Sequence, residues 1–523
     1  MQRRDLLKLL LASAMAPSAS GLLAAVPRFK ADPFALGVAS GAPDHRSVVL
    51  WTRLVHAGLL DAPAVERAPV AVRWEIAEDA QFRRGLRSGE VTALPQFGHS
   101  IHVEVDGLAA DRWYHYRFSA GDAVSFTGRT RTLPAPDVLA PQLRFGIASC
   151  QNWNDGYYAA WRHLLAEQPD LVLFVGDYIY ESASHKSAVR PHPLKLPYKL
   201  ADYRLRYQLY RSDPQLQAMH AACPWLVTWD DHEVLNNYAG LQGGAKGPAD
   251  AAAFAARRGS AYQAWYEHMP VRSSVLLRGL DGLGQADALR IYGRFDVGRL
   301  ASFHLLDDRQ YRDWQACRNP EDGGEPVEPQ KCAEWADPRR TLLGDEQESW
   351  LHAGLRRDVR RGTRWTIVAQ QTQFTPRDSK IGKGERYGTD NWNGYPAARE
   401  RLVGSLLGSK PANAVFVGGD IHQNWVADVR AKPDGPAIAS EFIATSISSS
   451  SGQPQARLDA TVRENPHCHF ASSEVRGYGL VDLTPQRWTT TLRGVDDVTR
   501  EDSGVRTLAS FVVEDGKPGV QRA

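Results

Sequence analysis

Leu171-Val172-Leu173-Phe174-Val175-Gly176-Asp177-Tyr178-Ile179-Tyr180-Glu181 runs five apolar residues straight into a glycine, a carboxylate and a phenol. A short, unbroken apolar run that ends on a turn signal is what a strand covered on both faces requires. Leu226-Val227-Thr228-Trp229, Trp365-Thr366-Ile367-Val368 and Ala414-Val415-Phe416-Val417 repeat the form, and Leu143-Arg144-Phe145-Gly146-Ile147-Ala148 reads as a further strand. Helical stretches lie between them: Tyr157 to Glu167, Ala251 to Glu267 and Asp345 to Arg356. Strands alternating with helices predict an α/β (α+β) domain, assigned here to residues 143–500.

Upstream the pattern is all strand. Val70-Ala71-Val72-Arg73-Trp74-Glu75-Ile76 alternates apolar and polar residues, as do His102-Val103-Glu104-Val105 and the aromatics of Trp113-Tyr114-His115-Tyr116-Arg117-Phe118. Ser47-Val48-Val49-Leu50-Trp51-Thr52 is another β-rich run. Residues 32–134 are therefore expected to form a small all-β sandwich. The Leu108…Tyr114-x-Tyr116 spacing resembles fibronectin type III and immunoglobulin-like modules. Pro134-Ala135-Pro136-Asp137 and Pro141 mark the linker. Before all this, residues 1–25 read as an export signal: Arg3-Arg4, then Leu6, Leu7, Leu9, Leu10 and Leu11, then small residues up to Ala24 and Ala25. Paired arginines point to the twin-arginine export machinery and to a periplasmic or secreted protein. That route carries folded proteins, which suits an enzyme that takes up metal before export.

The chain has 523 residues, beyond the ~250–300 at which a single core stops growing, so two domains are expected. Lys+Arg 62 against Asp+Glu 60 gives a formal net charge of +2. The basic excess of a nucleic-acid-binding protein is missing, and none is expected as a partner. A small anionic substrate stays compatible, because a metal site brings its own positive charge. Past the N-terminus no apolar run reaches roughly 18 residues, so no membrane span is expected in the mature chain. Five cysteines leave at least one thiol unpaired. Cys317 and Cys332 flank a Pro/Glu/Gly-rich stretch, and their pairing in an oxidising compartment is left open by the sequence.

The chemistry gathers where apolar strands end. Ser149-Cys150, Gly176-Asp177 with Tyr180, Asp230-Asp231-His232 and Gly419-Asp420 with His422 each follow such a run. In α/β folds the carboxyl ends of strands are where sites are built. A phenol binds metal as phenolate only beside a strong Lewis acid, and a thiolate favours transition metals over calcium. Asp420 and His422, two apart, fall on the same side of an extended chain. Each piece has an ordinary alternative: Gly-Asp is often a turn, a buried Cys is often inert, and Asp-Asp-His often caps a helix. Four such pieces after four strands point to one shared metal site.

The ordered blocks Ala148-Ser149-Cys150, Gly176-Asp-Tyr-Ile-Tyr-Glu181, Trp229-Asp-Asp-His-Glu-Val-Leu-Asn-Asn237 and Gly418-Gly-Asp-Ile-His422 resemble the PhoD family of alkaline phosphatases. So do Leu306-Asp307-Asp308-Arg309-Gln310-Tyr311-Arg312, Leu343-Gly344-Asp345-Glu346-Gln347, Asp390-Asn391-Trp392-Asn393-Gly394-Tyr395-Pro396, Gly37-Val38-Ala39-Ser40-Gly41 and Leu50-Trp51-Thr52-Arg53. The resemblance implies a metallophosphoesterase sandwich core related to purple acid phosphatases, behind the N-terminal β domain. It implies ferric iron (Fe3+) held by Cys150, Asp177, Tyr180 and His422, with Asp177 bridging to calcium (Ca2+). Asp230 or Asp231, Asn237 and Asp420 are the implied calcium ligands; Asp230 against Asp231, and Asn236 against Asn237, stay open. His232, with Asp231 beside it, is assigned to catalysis, as the histidine that aids phosphate binding or leaving-group protonation.

The implied reaction is hydrolysis of phosphate mono- or diesters by a metal-activated water, with cations neutralising the phosphoryl oxygens. Arg309 is a candidate for binding those oxygens, against the plainer reading of a structural salt bridge. The alternative function is an exported metal-containing binding protein without turnover. Asp177, His232 and His422 in place together favour the enzyme.

Overall fold

The computed structural model describes residues 29–55, 68–243, 250–276, 289–318 and 325–523. The export signal expected over residues 1–25 lies outside them.

Two sheets stack face to face. The first has ten strands, with the parallel trio Leu143–Ala148, Leu171–Phe174 and Trp225–Val227 inside it. The second has seven, with Ala301–Leu305, Trp365–Ala369, Ala414–Gly418 and Ala437–Ile443 running parallel in that order. The apolar runs are unbroken because both faces of each sheet are covered. Leu171, Leu173 and Val175 point into the core between the sheets, while Val172 and Phe174 face helices. Likewise Val415 and Val417 face the other sheet, and Ala414 and Phe416 face the helices behind. Helices Ala159–Ala166, Leu200–Arg211, Pro214–Ala222 and Ala251–His268 cover the first sheet. Helices Gly344–Arg361 and Pro396–Ser409 cover the second. Aromatic rings stitch the inner layer: Phe145 sits edge-on to Phe303 at 5.3 Å and to Trp488 at 5.6 Å. Truncating such a residue costs ~3–5 kcal/mol, so Phe145→Ala is a change the inner core would feel.

The expected β-sandwich is present at the N-terminus, with its own core of Val48, Leu50, Val72, Ile76, Tyr116 and Phe118. The Tyr114 hydroxyl accepts the Ala109 N–H at 2.9 Å, the corner contact of fibronectin-like modules. Its strands Val38–Gly41, Val48–Arg53 and Ser100–Val105 do more than the sequence suggests. They continue the ten-stranded sheet, joined through Gly41 and Trp225. The buried Arg53 side chain donates to Gly98 O at 2.8 Å and to Gln208 Oε1 at 2.9 Å, tying the module to helix Leu200–Arg211. At the other end the sheet does not stop near residue 500: Val505–Glu514 and Lys517–Arg522 add two strands. Asp515-Gly516 makes the two-residue turn between them, a signal the sequence carried. Among the described residues no helix is long and apolar enough to cross a membrane.

Candidate metal centre

The three parallel strands of the first sheet deliver their carboxyl-terminal loops side by side, and Ala414–Gly418 delivers a fourth from the second sheet. Cys150, Asp177 and His422 bring their donor atoms within 4.8 Å of one another. Tyr180 Oη donates to Asp177 Oδ2 at 2.7 Å and lies 2.8 Å from His422 Nε2. His422 Nδ1 is 2.8 Å from the Ser450 carbonyl, so Nδ1 carries the proton and Nε2 faces the cluster. Asp230, Asp231 and Asp420 form a second set of the same tightness, and Asp177, Asp231 and His232 a third. Asp177 thus belongs to two sets. Asn237, half-buried, donates its N–H to Asp231 Oδ2 at 2.6 Å, while Asn236 is exposed. Both Asp230 and Asp231 reach the cluster.

The backbone at these positions is strained. Cys150, Asp177, Asn237, Asp420 and His422 all have φ between 54° and 66°. Each such residue costs of order 1–3 kcal/mol, which the surroundings must offset. Glu233, fully buried, does part of this. Its carboxylate accepts the N–H groups of Asp177 at 3.1 Å, Tyr178 at 2.6 Å and Asp230 at 2.8 Å, knotting two loops together. Two glycines allow the close approach. A Cβ on Gly176 (φ 108°) would lie 2.5 Å from Asp230 Cβ, and one on Gly419 would lie 2.4 Å from Ser149 Oγ.

Burial sets the proton affinities. It pushes the Cys150 thiol and the Tyr180 phenol well up, each helped by Asp177, and lowers His422 to about 4. It also raises Asp177 and Asp230 well above the usual carboxylate range and Asp420 to about 8. Asp231 resists that push, because Arg309 and His232 draw it below its ordinary value. A buried set of this kind keeps its anionic forms only beside a cation. Asp230 Oδ2 and Asp231 Oδ1 are buried without a hydrogen-bond partner, which a cation would supply. The residues therefore fit metal ions: a sulfur, phenol and imidazole set on one side, an all-oxygen set on the other.

His232 is held by Glu181, with Nδ1 2.6 Å from Oε2, and its ring stacks on Tyr180 at 4.0 Å. Burial works against its charge, but Glu181, Asp177 and Asp231 overcome it and hold the imidazole well above its ordinary value. Arg309 lies inside the site with a fully buried side chain. It pairs with Asp230, with Asp390 at 2.5 Å and with Asp420 at 2.9 Å. Those are the contacts of a counter-ion. The expectation that it binds phosphoryl oxygens directly gives way to the salt-bridge reading, because carboxylates take up the guanidinium and no surface is left for substrate.

Three contributors were missed by sequence reasoning. Two are Glu181 and Glu233, which lie within the Gly176–Glu181 and Trp229–Asn237 blocks. The third is the serine loop after Ala437–Ile443. There Ser449 Oγ donates to Cys150 O at 2.7 Å, and Ser450 orients His422. It is a fifth buried strand ending in small polar residues, but Ser440 and Glu441 interrupt its apolar run and weaken the signal. Cys317 and Cys332 are joined as a disulfide, and Cys150, Cys223 and Cys468 are buried and free.

The family model of PhoD-like phosphatases matches residues 145–492, and that of the PhoD-like phosphatase N-terminal domain matches residues 19–134. Alkaline phosphatase D of Bacillus subtilis (strain 168) is 41% identical over 508 residues, covering 95% of this chain and 84% of the relative. A solved structure of PhoD superposes with a TM-score of 0.87 at 41% identity, over 95% of this chain and 93% of that one. A purple acid phosphatase from yellow lupin (Lupinus luteus) seeds shares the fold, with a TM-score of 0.56 at 11% identity over 91% of this chain and 74% of its own.

Proposed function

The chain belongs to the PhoD-like phosphatase family, and from that premise we propose that it works outside the cytoplasm, hydrolysing phosphate esters at a site of ferric iron and calcium. It is a phosphoric ester hydrolase of the alkaline phosphatase type, acting on a small phosphate-ester substrate. That sets aside the binding protein without turnover. The homologues and the buried donor groups imply metal ions. The observation that carries the assignment of two different ions is Asp177, which groups with Cys150 and His422 on one side and, on the other, with Asp231, itself a member of the all-oxygen set. Cys150, Tyr180 and His422 suit Fe3+. Asp230, Asp231, Asp420 and Asn237 suit Ca2+.

When bound, the ions supply positive charge for the phosphoryl oxygens and acidify the attacking water. The chain's own residues do the rest. Asp177 would be the carboxylate offered to both ions. Glu181 fixes the His232 ring through Nδ1 and, with Asp231 and Asp177, keeps it protonated. Nε2 then hydrogen-bonds a phosphoryl oxygen and gives its proton to the leaving alkoxide. Arg309 acts indirectly, balancing the carboxylates.

Release of p-nitrophenol from its phosphate mono- and diesters at alkaline pH, with elemental analysis of the same preparation, tests this reading. An active enzyme lacking iron or calcium would overturn the metal assignment. Export through the twin-arginine machinery, to the periplasm or beyond, rests on Arg3-Arg4. Lys-Lys in their place lacks the planar guanidinium and should leave active enzyme in the cytoplasm. Unchanged export of that variant would show that the general secretion route is used.

A further inference from the structure

Asp390 sits in the loop after Thr389 and has no metal-donor partner of its own among the clustered groups. Its carboxylate lies between two arginines. Oδ2 accepts Arg309 Nη1 at 2.5 Å; Oδ1 accepts Arg312 Nη2 at 2.6 Å and Gln315 Nε2 at 2.9 Å. Its backbone carbonyl takes Arg312 Nη1 at 2.7 Å. Each partner then reaches the all-oxygen set or the backbone beside it. Arg309 donates to Asp230 and Asp420. Arg312 donates to Tyr238 O at 2.8 Å, and Gln315 to Asn237 O at 3.0 Å. Among the described residues, no hydrogen bond or ion pair joins Asp390, Arg312 or Gln315 to Cys150, Tyr180 or His422.

We propose that Asp390 is a positioning residue for the calcium-side half of the site alone, and the proposal rests on the iron and calcium reading above. Asp390 anchors Arg309 Nη1, so that the guanidinium meets Asp230 and Asp420 through one oxygen each and leaves Asp230 Oδ2 for a cation. Through Arg312 and Gln315 it also fixes the peptide that carries Asn237. An asparagine at this position turns a donor toward one of the arginines and removes the charge both share. Arg309, already bonded to one oxygen of each, then shifts further onto Asp230 and Asp420 and competes with calcium for their remaining oxygens.

The loop carrying Asp390 is itself fastened. Thr389 Oγ1 donates to Glu325 O at 2.9 Å, and Trp335 Nε1 to Asn393 O at 2.6 Å. Trp335 also stacks on Tyr387 at 5.6 Å, and the segment bearing these groups closes through the Cys317–Cys332 disulfide. Asp390 therefore has a fixed base from which to hold two arginines.

The test compares wild type with Asp390→Asn. Each is dialysed against EGTA, then titrated with calcium while p-nitrophenyl phosphate hydrolysis is followed; iron content and the Tyr-to-iron absorption band are read on the same samples. The expected result is a half-activating calcium concentration raised about tenfold or more, as for other outer partners of metal ligands. kcat at saturating calcium, iron content and the band should stay near wild type. A calcium dependence equal to wild type overturns the proposal, and so does loss of iron together with calcium. If Asp390→Asn does not fold, Asp390→Glu carries the test, and it supports the proposal only if its calcium requirement rises while iron stays. A wild-type enzyme indifferent to calcium removal overturns the calcium reading itself, a failure visible without any variant.

Discussion

The two halves of the site are built on opposite plans. Around Cys150, Tyr180 and His422 the supporting bonds run to backbone and hydroxyl groups: Ser449 Oγ to Cys150 O, and His422 Nδ1 to Ser450 O. The arginine on that side, Arg476, donates to the carbonyls of His422 at 3.0 Å and Ser449 at 2.7 Å, and so shapes the loop rather than balancing charge. Around Asp230, Asp231 and Asp420 the support is ionic, with Arg309 among the carboxylates and Arg312 behind Asp390. The contrast teaches what each donor set needs. Neutral or weakly acidic donors need geometry. A crowd of carboxylates needs cations merely to stay together in a buried place.

The largest expected effect comes from breaking Asp177, which stands between the two plans, grouped with Cys150 and His422 and with Asp231. Asp177→Asn should lower kcat/KM roughly a thousandfold or more, several kcal/mol of transition-state stabilisation, and reduce both metals. Full occupancy of iron and calcium by elemental analysis would remove its bridging role. Cys150→Ser should separate the halves: iron and the absorption band fall, calcium stays, and activity drops about a hundredfold. In wild type, alkylation should label Cys150 only after metal is stripped; finding it in a disulfide in active enzyme would refute ligation.

A smaller effect is expected at His232. In the proposed mechanism it works in its charged form, so activity is expected to fall as pH rises through its pKa. Glu181 raises that pKa. Glu181→Gln should lower it and move the alkaline limb of the pH profile down by about one unit. An unmoved limb would mean that another group limits the reaction there. The smallest effect belongs to the clip. Cys317 and Cys332 close a loop with a sequence separation of 15, and a crosslink of that length contributes about 3 kcal/mol. Cys317→Ser with Cys332→Ser should lower Tm by a few degrees. It should also raise the calcium requirement less than Asp390→Asn does. A larger rise would make the clip, not the carboxylate, the main support of that half.

Much of this was legible along the chain. Leu171–Val175 declared a strand covered on both faces, and it is one, with alternate residues entering the inter-sheet core and the helix-facing core. The strand-end blocks named Cys150, Asp177, Tyr180, Asp230, Asp231, Asp420 and His422, and the fold brings them together. The signal held because apolar runs and abrupt polar ends are local properties. The N-terminal strands and the strands past residue 500 were harder. Their alternation announces a strand but not its neighbour, so their membership of the ten-stranded sheet had no trace in the order of residues.

The sequence by itself determined the strand-end donors, the family resemblance and the β character of the first domain, because periodicity and short blocks carry them. Only the tertiary structure decided what each side chain is paired with. Arg309 reads along the chain as a phosphate binder or a salt bridge, and becomes a counter-ion only when Asp230, Asp390 and Asp420 converge on it from three distant segments. The left-handed backbone at five candidate ligands, and the Glu233 knot that tolerates it, likewise exist only after the loops meet. A charge has its meaning from its neighbours within a few ångströms, and in a folded chain those neighbours come from anywhere in the sequence.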